Sequence, residues 1–235
     1  VNEKENLGSP LTMSASKRVL IVGGSGRTGK LVIDELLERG HEVTALVRKP
    51  ESLEARPNLR IVAGTPLSKD DVRKAFTASN PEVVVVTLSA PRAGDSPFAA
   101  VISPPRLMAD SNANLVAVMK EFNTQKIVIM QALGVAESWA NMHWTVRMLM
   151  KKSNMIYQYD DHNLVTEEVK ASGENYVFVR PTRLEDGEAK EVKEWADDGR
   201  GVPMMSSCTR ISVAKFMAEA VANRTWDNTA PVITN

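Results

Sequence analysis

The stretch from Val19 to Leu31 reads Val-Leu-Ile-Val-Gly-Gly-Ser-Gly-Arg-Thr-Gly-Lys-Leu, and it constrains the fold more than any other part of the chain. Four apolar residues run into a cluster of glycines, and an amphipathic helical pattern begins at once. A strand that reverses sharply into a helix needs glycine where the backbone turns, where phosphates approach and where the helix closes on the strand. Both G-x-G-x-x-G (Gly24, Gly26, Gly29) and G-x-x-G-x-x-G (Gly23, Gly26, Gly29) spacings are met. The run therefore predicts the strand–turn–helix of a dinucleotide-binding unit, with a pyrophosphate facing the first helical amides. A glycine-rich turn without a ligand is the plainer alternative, and the flanking strand and helix patterns weigh against it.

The next unit sharpens the reading. Leu31 to Arg39 places apolar residues at Leu31, Val32, Leu36 and Leu37, Gly40 stops the helix, and His41 to Val47 forms a second strand. An NAD site carries Asp or Glu after that strand to bind the ribose hydroxyls, but here Arg48-Lys49 follows. A carboxylate repels a 2′-phosphate, whereas a guanidinium grips it through paired hydrogen bonds. Arg27, inside the glycine turn, adds a second cation. As solvated surface charges the arginines would mean nothing; flanking the adenosine ribose, they predict NADP(H) as the cofactor.

Composition sets the outer limits. The chain has 235 residues, 43% hydrophobic, with 29 basic and 29 acidic side chains. That length fits one α/β domain with a full core. A formal net charge of zero leaves no electrostatic footprint for nucleic acid or an anionic membrane. No stretch approaches the roughly 18 apolar residues of a membrane span, and no signal peptide is apparent. Cys208 is the single cysteine, so no intrachain disulfide can form, which fits a cytoplasmic setting. His41, His143 and His162 are scattered without ligand spacing, so no metal site is expected. Residues 1–16 are polar, lack periodicity and carry Gly8-Ser9-Pro10, which reads as a flexible leader. Residues 17–235 read as a single domain.

Further along, strand three is expected over Leu59 to Ala63, and a helix from about Ser68 to Ala78, with Ser68 and Asp71 in an N-cap arrangement. Glu82 to Leu88 is a β-branched run suited to a central parallel strand covered on both faces. It opens into Ser89 to Pro105, a long Pro-, Gly- and Ser-rich loop at the edge where doubly wound sheets bind ligands. A helix from about Arg106 to Phe122 precedes strand five, Lys126 to Gln131. Strand six spans Tyr176 to Arg180. Strands alternating with helices imply a doubly wound parallel sheet with a small C-terminal substrate-binding subregion and pocket insertions near 89–105 and 134–160. Within the second insertion lie Trp139, Met142, Trp144, Met148, Met150 and Met155. Such a stretch fills a core or lines an apolar cleft, and the sequence leaves both open.

Taken together, the glycine turn, Arg48, the exit of strand four, Gln131-Ala132-Leu133-Gly134 and Arg180-Pro181-Thr182 resemble the atypical short-chain dehydrogenases. More narrowly, they resemble the NmrA-like group and the biliverdin/flavin reductase-type NADPH enzymes. Tyr159-Asp160-Asp161-His162 and Thr209 to Phe216 extend the resemblance, which runs from about Lys17 to Val232. It implies a Rossmann-type fold in which Gly23, Gly24, Ser25, Gly26, Arg27 and Thr28 hold the pyrophosphate and Arg48 the 2′-phosphate. Leu88, Ser89, Ala90 and Arg92 would flank the ribose and phosphates. Gln131 and Ala132 would lie by the nicotinamide ribose, and Pro181, Thr182 and Arg183 would border the nicotinamide. Two departures stand out. Thr65 follows Gly64 where relatives often carry an Asp near the adenine, and Ala132 stands where flavin-reductase-like members have a Ser.

The ordinary short-chain dehydrogenase needs a Tyr and a Lys four residues apart on one helix face. Tyr157, Tyr159 and Tyr176 are followed at that spacing by Asp161, Asn163 and Arg180, so no such pair exists. The best remaining polar pair is Asp161-His162, because a histidine can donate or relay a proton near neutral pH. The alternative is that Asp160 or Asp161 caps a helix running from Asn163 to Ser172. The leading expectation is an NADP(H)-dependent oxidoreductase acting on a hydrophobic small molecule such as a conjugated imine, enone, flavin or tetrapyrrole. A natural-product cyclase and a non-catalytic NADP(H)-sensing regulator are the alternatives. Sensors of this group usually carry a larger C-terminal region, which favours an enzyme. Oligomeric state is not legible.

Overall fold

The structure is a computed structural model, and it describes residues 15–94 and 96–235. Most of the expected leader lies outside the described residues. Ser16, at its end, is tied down, its hydroxyl donating to the Gly40 carbonyl at 2.7 Å.

The first βαβ unit forms where the glycine run places it: β1 (Arg18–Val22), α1 (Arg27–Glu38) and β2 (Glu42–Val47). β3 (Leu59–Ala63), α2 (Lys69–Ser79) and β4 (Val83–Val86) follow. The Ser68 hydroxyl accepts from the Asp71 amide at 3.2 Å, so the expected cap starts α2. After a long loop come α3 (Leu107–Phe122), β5 (Lys126–Met130), α4 (Trp144–Lys152), α5 (Met155–Ser172) and β6 (Tyr176–Pro181). The chain closes with β7 (Arg183–Glu185), β8 (Lys193–Trp195), β9 (Ser207–Thr209), α6 (Arg210–Ala222) and β10 (Val232–Thr234).

The main sheet has eight strands in the order β3-β2-β1-β4-β5-β6-β10-β8, and β7 and β9 form a separate two-stranded sheet. The six strands read from the sequence run parallel, β10 joins β6 in parallel, and β8 closes the edge antiparallel to β10. This is the Rossmann-type α/β architecture. Alternate strand residues serve opposite faces. Val19 and Ile21 pack under α1 and α6 with Val32, Leu36 and Met217, while Leu20 and Val22 pack under α2, α3 and α5 with Phe76, Leu115 and Val165. Val83 to Val86 are buried throughout, as a strand covered on both faces requires.

Two expectations differ from the structure. The helix expected from Asn163 begins eight residues earlier, at Met155, so Asp160 and Asp161 sit inside α5 and cap nothing on it. The polar run Tyr157 to Asp161 hides the helix because it carries no apolar stripe of its own. The four three-residue strands β7 to β10 are also additions, each too short to show an alternating pattern.

Candidate cofactor groove and apolar cavity

Three of the four glycines of the turn do different work. Gly23 has φ of +85°, and a Cβ there would lie 2.7 Å from the Thr87 carbonyl carbon at the end of β4. A Cβ on Gly29 would collide with the Gly23 carbonyl oxygen. These two positions are glycine so that helix and strands can meet. Gly26 is different: it is exposed, and a Cβ there would meet only the Gly23 oxygen, at 3.3 Å. It is also the N-cap of α1, with no side-chain cap and no acidic residue in the first turn. The first turn of a helix carries amides without intrahelical acceptors, and an anion is a natural partner for such groups. The exposed Ser25 and Arg27 and the buried Thr28 complete the turn.

Arg48 is exposed at the end of β2, and it forms no ion pair among the described residues. At the exit of β3, the Thr65 amide donates to Asp71 Oδ2 at 3.0 Å. Asp71, in the first turn of α2, thus brings a carboxylate to this turn. These residues fit a dinucleotide phosphate: an open Gly26 cradle at a helix start, with a guanidinium one strand away that pairs with no carboxylate among the described residues.

Beyond β4, Leu88 is half-buried, Ser89 exposed and Ala90 buried, and Arg92 donates to the Ser96 carbonyl at 2.7 Å. Gln158 on α5 reaches across, its Nε2 donating to Ser89 Oγ at 3.1 Å. Between this loop and α5 lies a cavity of about 390 Å³, lined by Ala90, Arg92, Val101, Tyr157, Gln158 and Leu164 among others. The volume and the apolar lining are those of a small-molecule site.

The Trp/Met segment does not line this cavity. Trp139 and Met142 face inward, where Trp139 packs edge-on against Tyr159 at 6.1 Å and Met142 lies over Gly134. Trp144, Met148 and Leu149 on α4 are exposed, and α4 buries no residue. The segment is thus divided between core and surface.

The expected catalytic pair is committed elsewhere. Asp161 is buried and accepts from the Met108 and Ala109 amides at 2.8 and 2.9 Å. It caps α3, whose own start, Arg106, has a left-handed backbone and offers no side-chain cap. His162 is buried, its Nδ1 has no partner, and burial together with the nearby Arg180 charge pushes its pKa down to about 4. At neutral pH it is uncharged and cannot act as an imidazolium acid.

Gln131, expected beside the ribose, turns inward as well. Its Nε2 donates to Thr166 Oγ1 at 2.8 Å and its Oε1 accepts from Arg180 Nε at 3.1 Å. Arg180, with no exposed surface, also holds Glu137 at 3.2 Å and the Asp197 carbonyl at 3.1 Å. Burial raises the Glu137 carboxyl, but a backbone hydrogen bond and Arg180 bring it below its ordinary value overall. The sequence showed Arg180 only as part of a motif; nothing marked it as the tie between strand ends. Ala132 is half-buried, Pro181 buried and Arg183 exposed and paired with Glu185, while Thr182 keeps a buried hydroxyl without a partner. Tyr159 donates to the Leu133 carbonyl at 3.1 Å, and burial pushes its phenol up to about 12. Among the described residues no His, Cys, Asp and Glu cluster could hold a metal ion, and no helix is long and apolar enough to cross a membrane.

A family model described as NAD(P)H-binding matches residues 23–224, and the chain belongs to that family. It is 35% identical over 112 residues to a 3-diazoavenalumate denitrifying reductase of Streptomyces sp, a match covering 47% of this chain and 36% of that protein. Among solved structures, a short-chain dehydrogenase/reductase of Veillonella parvula in complex with NADP superposes with a TM-score of 0.71. It is 17% identical, with 93% of this chain and 94% of that one covered. An anaerobillin reductase of Escherichia coli O157:H7 superposes with a TM-score of 0.72 at 15% identity, covering 92% and 96%. At these identities the structural likeness establishes the fold, and the chain spans little more than a third of the Streptomyces reductase.

Proposed function

We propose that this chain is an NADP(H)-dependent oxidoreductase acting on a small hydrophobic organic molecule such as a conjugated imine, enone or flavin. One observation carries the reading: an apolar cavity of about 390 Å³ opens beside the exit of β4, on the sheet edge that also bears the Gly26 turn. Gly23 to Thr28 would hold the pyrophosphate and Arg48 the 2′-phosphate. NADPH supplies a hydride when bound. The chain's own contribution is placement. The Arg180 network fixes the ends of β5 and β6, and the Asp161 cap fixes α5 against α3, so the cavity wall and the groove keep one geometry. With His162 neutral and Tyr159 locked to Leu133, no described side chain reproduces the Tyr–Lys acid, so the proton comes from water at the open edge.

The partial match to a Streptomyces 3-diazoavenalumate denitrifying reductase, and the resemblance to NmrA-like proteins, favour a role in secondary metabolism in a cytoplasmic setting. The test is stopped-flow absorbance of protein-bound NADPH against a panel of imines, enones, quinones and flavins. Oxidation of bound NADPH by at least one panel member, weakened when Leu164 is enlarged to Trp, is expected. Tight NADPH binding with no oxidation and no product across the panel would favour a sensor instead.

A further inference from the structure

Among the described residues ten large hydrophobic side chains are exposed, and nine of them lie on three short segments, residues 98–102, 144–157 and 204–205. The tenth is Leu67. The fold brings the three segments together. Asn154, at the junction of α4 and α5, donates through Nδ2 to the carbonyls of Phe98 and Ala99 at 3.0 and 3.2 Å. The Thr145 hydroxyl on α4 lies 3.9 Å from Met204 Sδ. The result is one apolar rim, which borders the cavity through Val101 and Tyr157. A ligand in the cavity leaves most of it bare. Trp144, Met148, Leu149, Met204 and Met205 form no part of the lining, and Trp144 is 62% and Met205 77% exposed. Single exposed apolar residues are ordinary, but a contiguous patch marks a contact surface.

Charge indicates what the rim meets. The three segments carry three charged side chains, Arg147, Lys151 and Lys152, all positive and all on α4. None of them forms an ion pair among the described residues. Asp160, the next acid along α5, lines the cavity. The zero net charge of the whole chain, which left no footprint for an anionic membrane, is therefore an average that hides a locally basic rim. Met148 follows Trp144 by four residues and Lys152 follows Met148 by four, so apolar and cationic groups share one exposed face of α4. Tryptophan and leucine beside lysines suit a helix lying in a bilayer interface, where the indole sits at headgroup level and the cations are drawn to anionic lipid. A second copy of the chain fits worse, because a two-fold contact would set these cations against their own copies.

We propose that this rim docks on the surface of an anionic lipid bilayer, with Trp144, Met148 and Leu149 in the headgroup region and Lys151 and Lys152 against lipid phosphates. The contact is peripheral and reversible. The cavity, bordered by Val101 and Tyr157 of the same rim, then opens beside the membrane surface. The docking does not depend on the oxidoreductase reading.

The test uses the full chain saturated with NADP+ and two kinds of vesicle, phosphatidylcholine alone and phosphatidylcholine with an equal part of phosphatidylglycerol. Sedimentation should show binding to the mixed vesicles that weakens as salt is raised, and little binding to the neutral ones. Lys151→Gln and Lys152→Gln should each weaken it about fivefold, whereas Lys74→Gln, at an exposed position of α2, should leave it unchanged. Trp144→Ser should weaken it about tenfold. Tryptophan emission should shift to the blue on adding mixed vesicles, and Trp144→Phe should remove most of that shift while the protein still sediments with them. Melting curves that match the parent show that the variants fold. No binding to the mixed vesicles, binding indifferent to both lysine changes, or emission that does not move overturns the proposal. Two results in place of vesicle binding would reassign the rim and overturn the lipid reading. A lipid-free dimer abolished by Trp144→Ser points to a second copy, and capture by immobilised polyglutamate points to an acidic protein.

Discussion

Replacing Asp161 separates a structural carboxylate from a catalytic one. The side chain is 6% exposed and accepts two amides from the first turn of α3, at 2.8 and 2.9 Å. Asp161→Ala leaves two buried N–H groups without partners, each costing about 1–3 kcal/mol, and removes a negative charge from a helix start. Partial access of water to the vacated space lowers the sum, so about 3 kcal/mol is expected. For a chain of this size that is a fall in Tm of about 6–12 °C. Asp161→Asn keeps one acceptor oxygen but loses the charge, and should cost about half as much. Urea denaturation of the three proteins, with NADPH affinity measured by fluorescence on the folded forms, provides the numbers. The reasoning is refuted if Asp161→Ala stays within about 0.5 kcal/mol of the parent while turnover alone collapses.

Arg48→Ala should weaken NADPH by about 1.5–3 kcal/mol and leave NADH nearly unchanged, since one charge-assisted partner of the 2′-phosphate is lost; calorimetry giving equal losses for both cofactors would remove Arg48 from the site. Gly26→Val should abolish cofactor binding in a domain that still folds, whereas Gly29→Ala should destabilise the fold because its Cβ meets the Gly23 carbonyl; circular dichroism and fluorescence titration of the two variants separate the cases. The pKa of His162 is lowered to about 4, so between an unfolded value near 6.5 and about pH 4 the unfolded chain binds a proton that the folded chain refuses. Stability from this group is therefore present above pH 6.5 and lost as pH falls, by as much as about 3 kcal/mol, and His162→Leu should flatten that part of the pH–stability curve in urea melts.

The βαβ start and the six parallel strands were legible because each rests on a local pattern: buried β-branched runs, a helical stripe, glycines at a reversal. Within the candidate site, the turn was legible because backbone shape decides it, at Gly23, Gly26 and Gly29. The rest was not legible where two distant side chains decide it. Asp161 and Met108 lie 53 residues apart, and nothing in either neighbourhood announces that one caps the other's helix. A polar Asp-His pair in a cleft region reads as chemistry, yet burial turned the aspartate into a cap and the histidine into a neutral core residue. Likewise Gln131 was placed by the strand it ends, but Arg180 and Thr166 claimed its side chain. The small C-terminal strands escaped because three residues leave no period to detect.

α4 has nine residues, buries none of them, and relies at its ends on the His143 cap and on Lys151 and Lys152. A helix so short, with only Thr145, Val146, Arg147 and Met150 half-buried, gains little stability from tertiary packing. Its amides should exchange with solvent far faster than those of α5, by an opening that leaves the sheet untouched. Because its exposed side chains, Trp144, Met148 and Leu149, carry little of the folding free energy, this rim tolerates substitution there as the buried Arg180 tie does not. Diversity introduced at the exposed Trp144, Met148 and Leu149 would change what the edge of the protein meets without changing whether the protein folds.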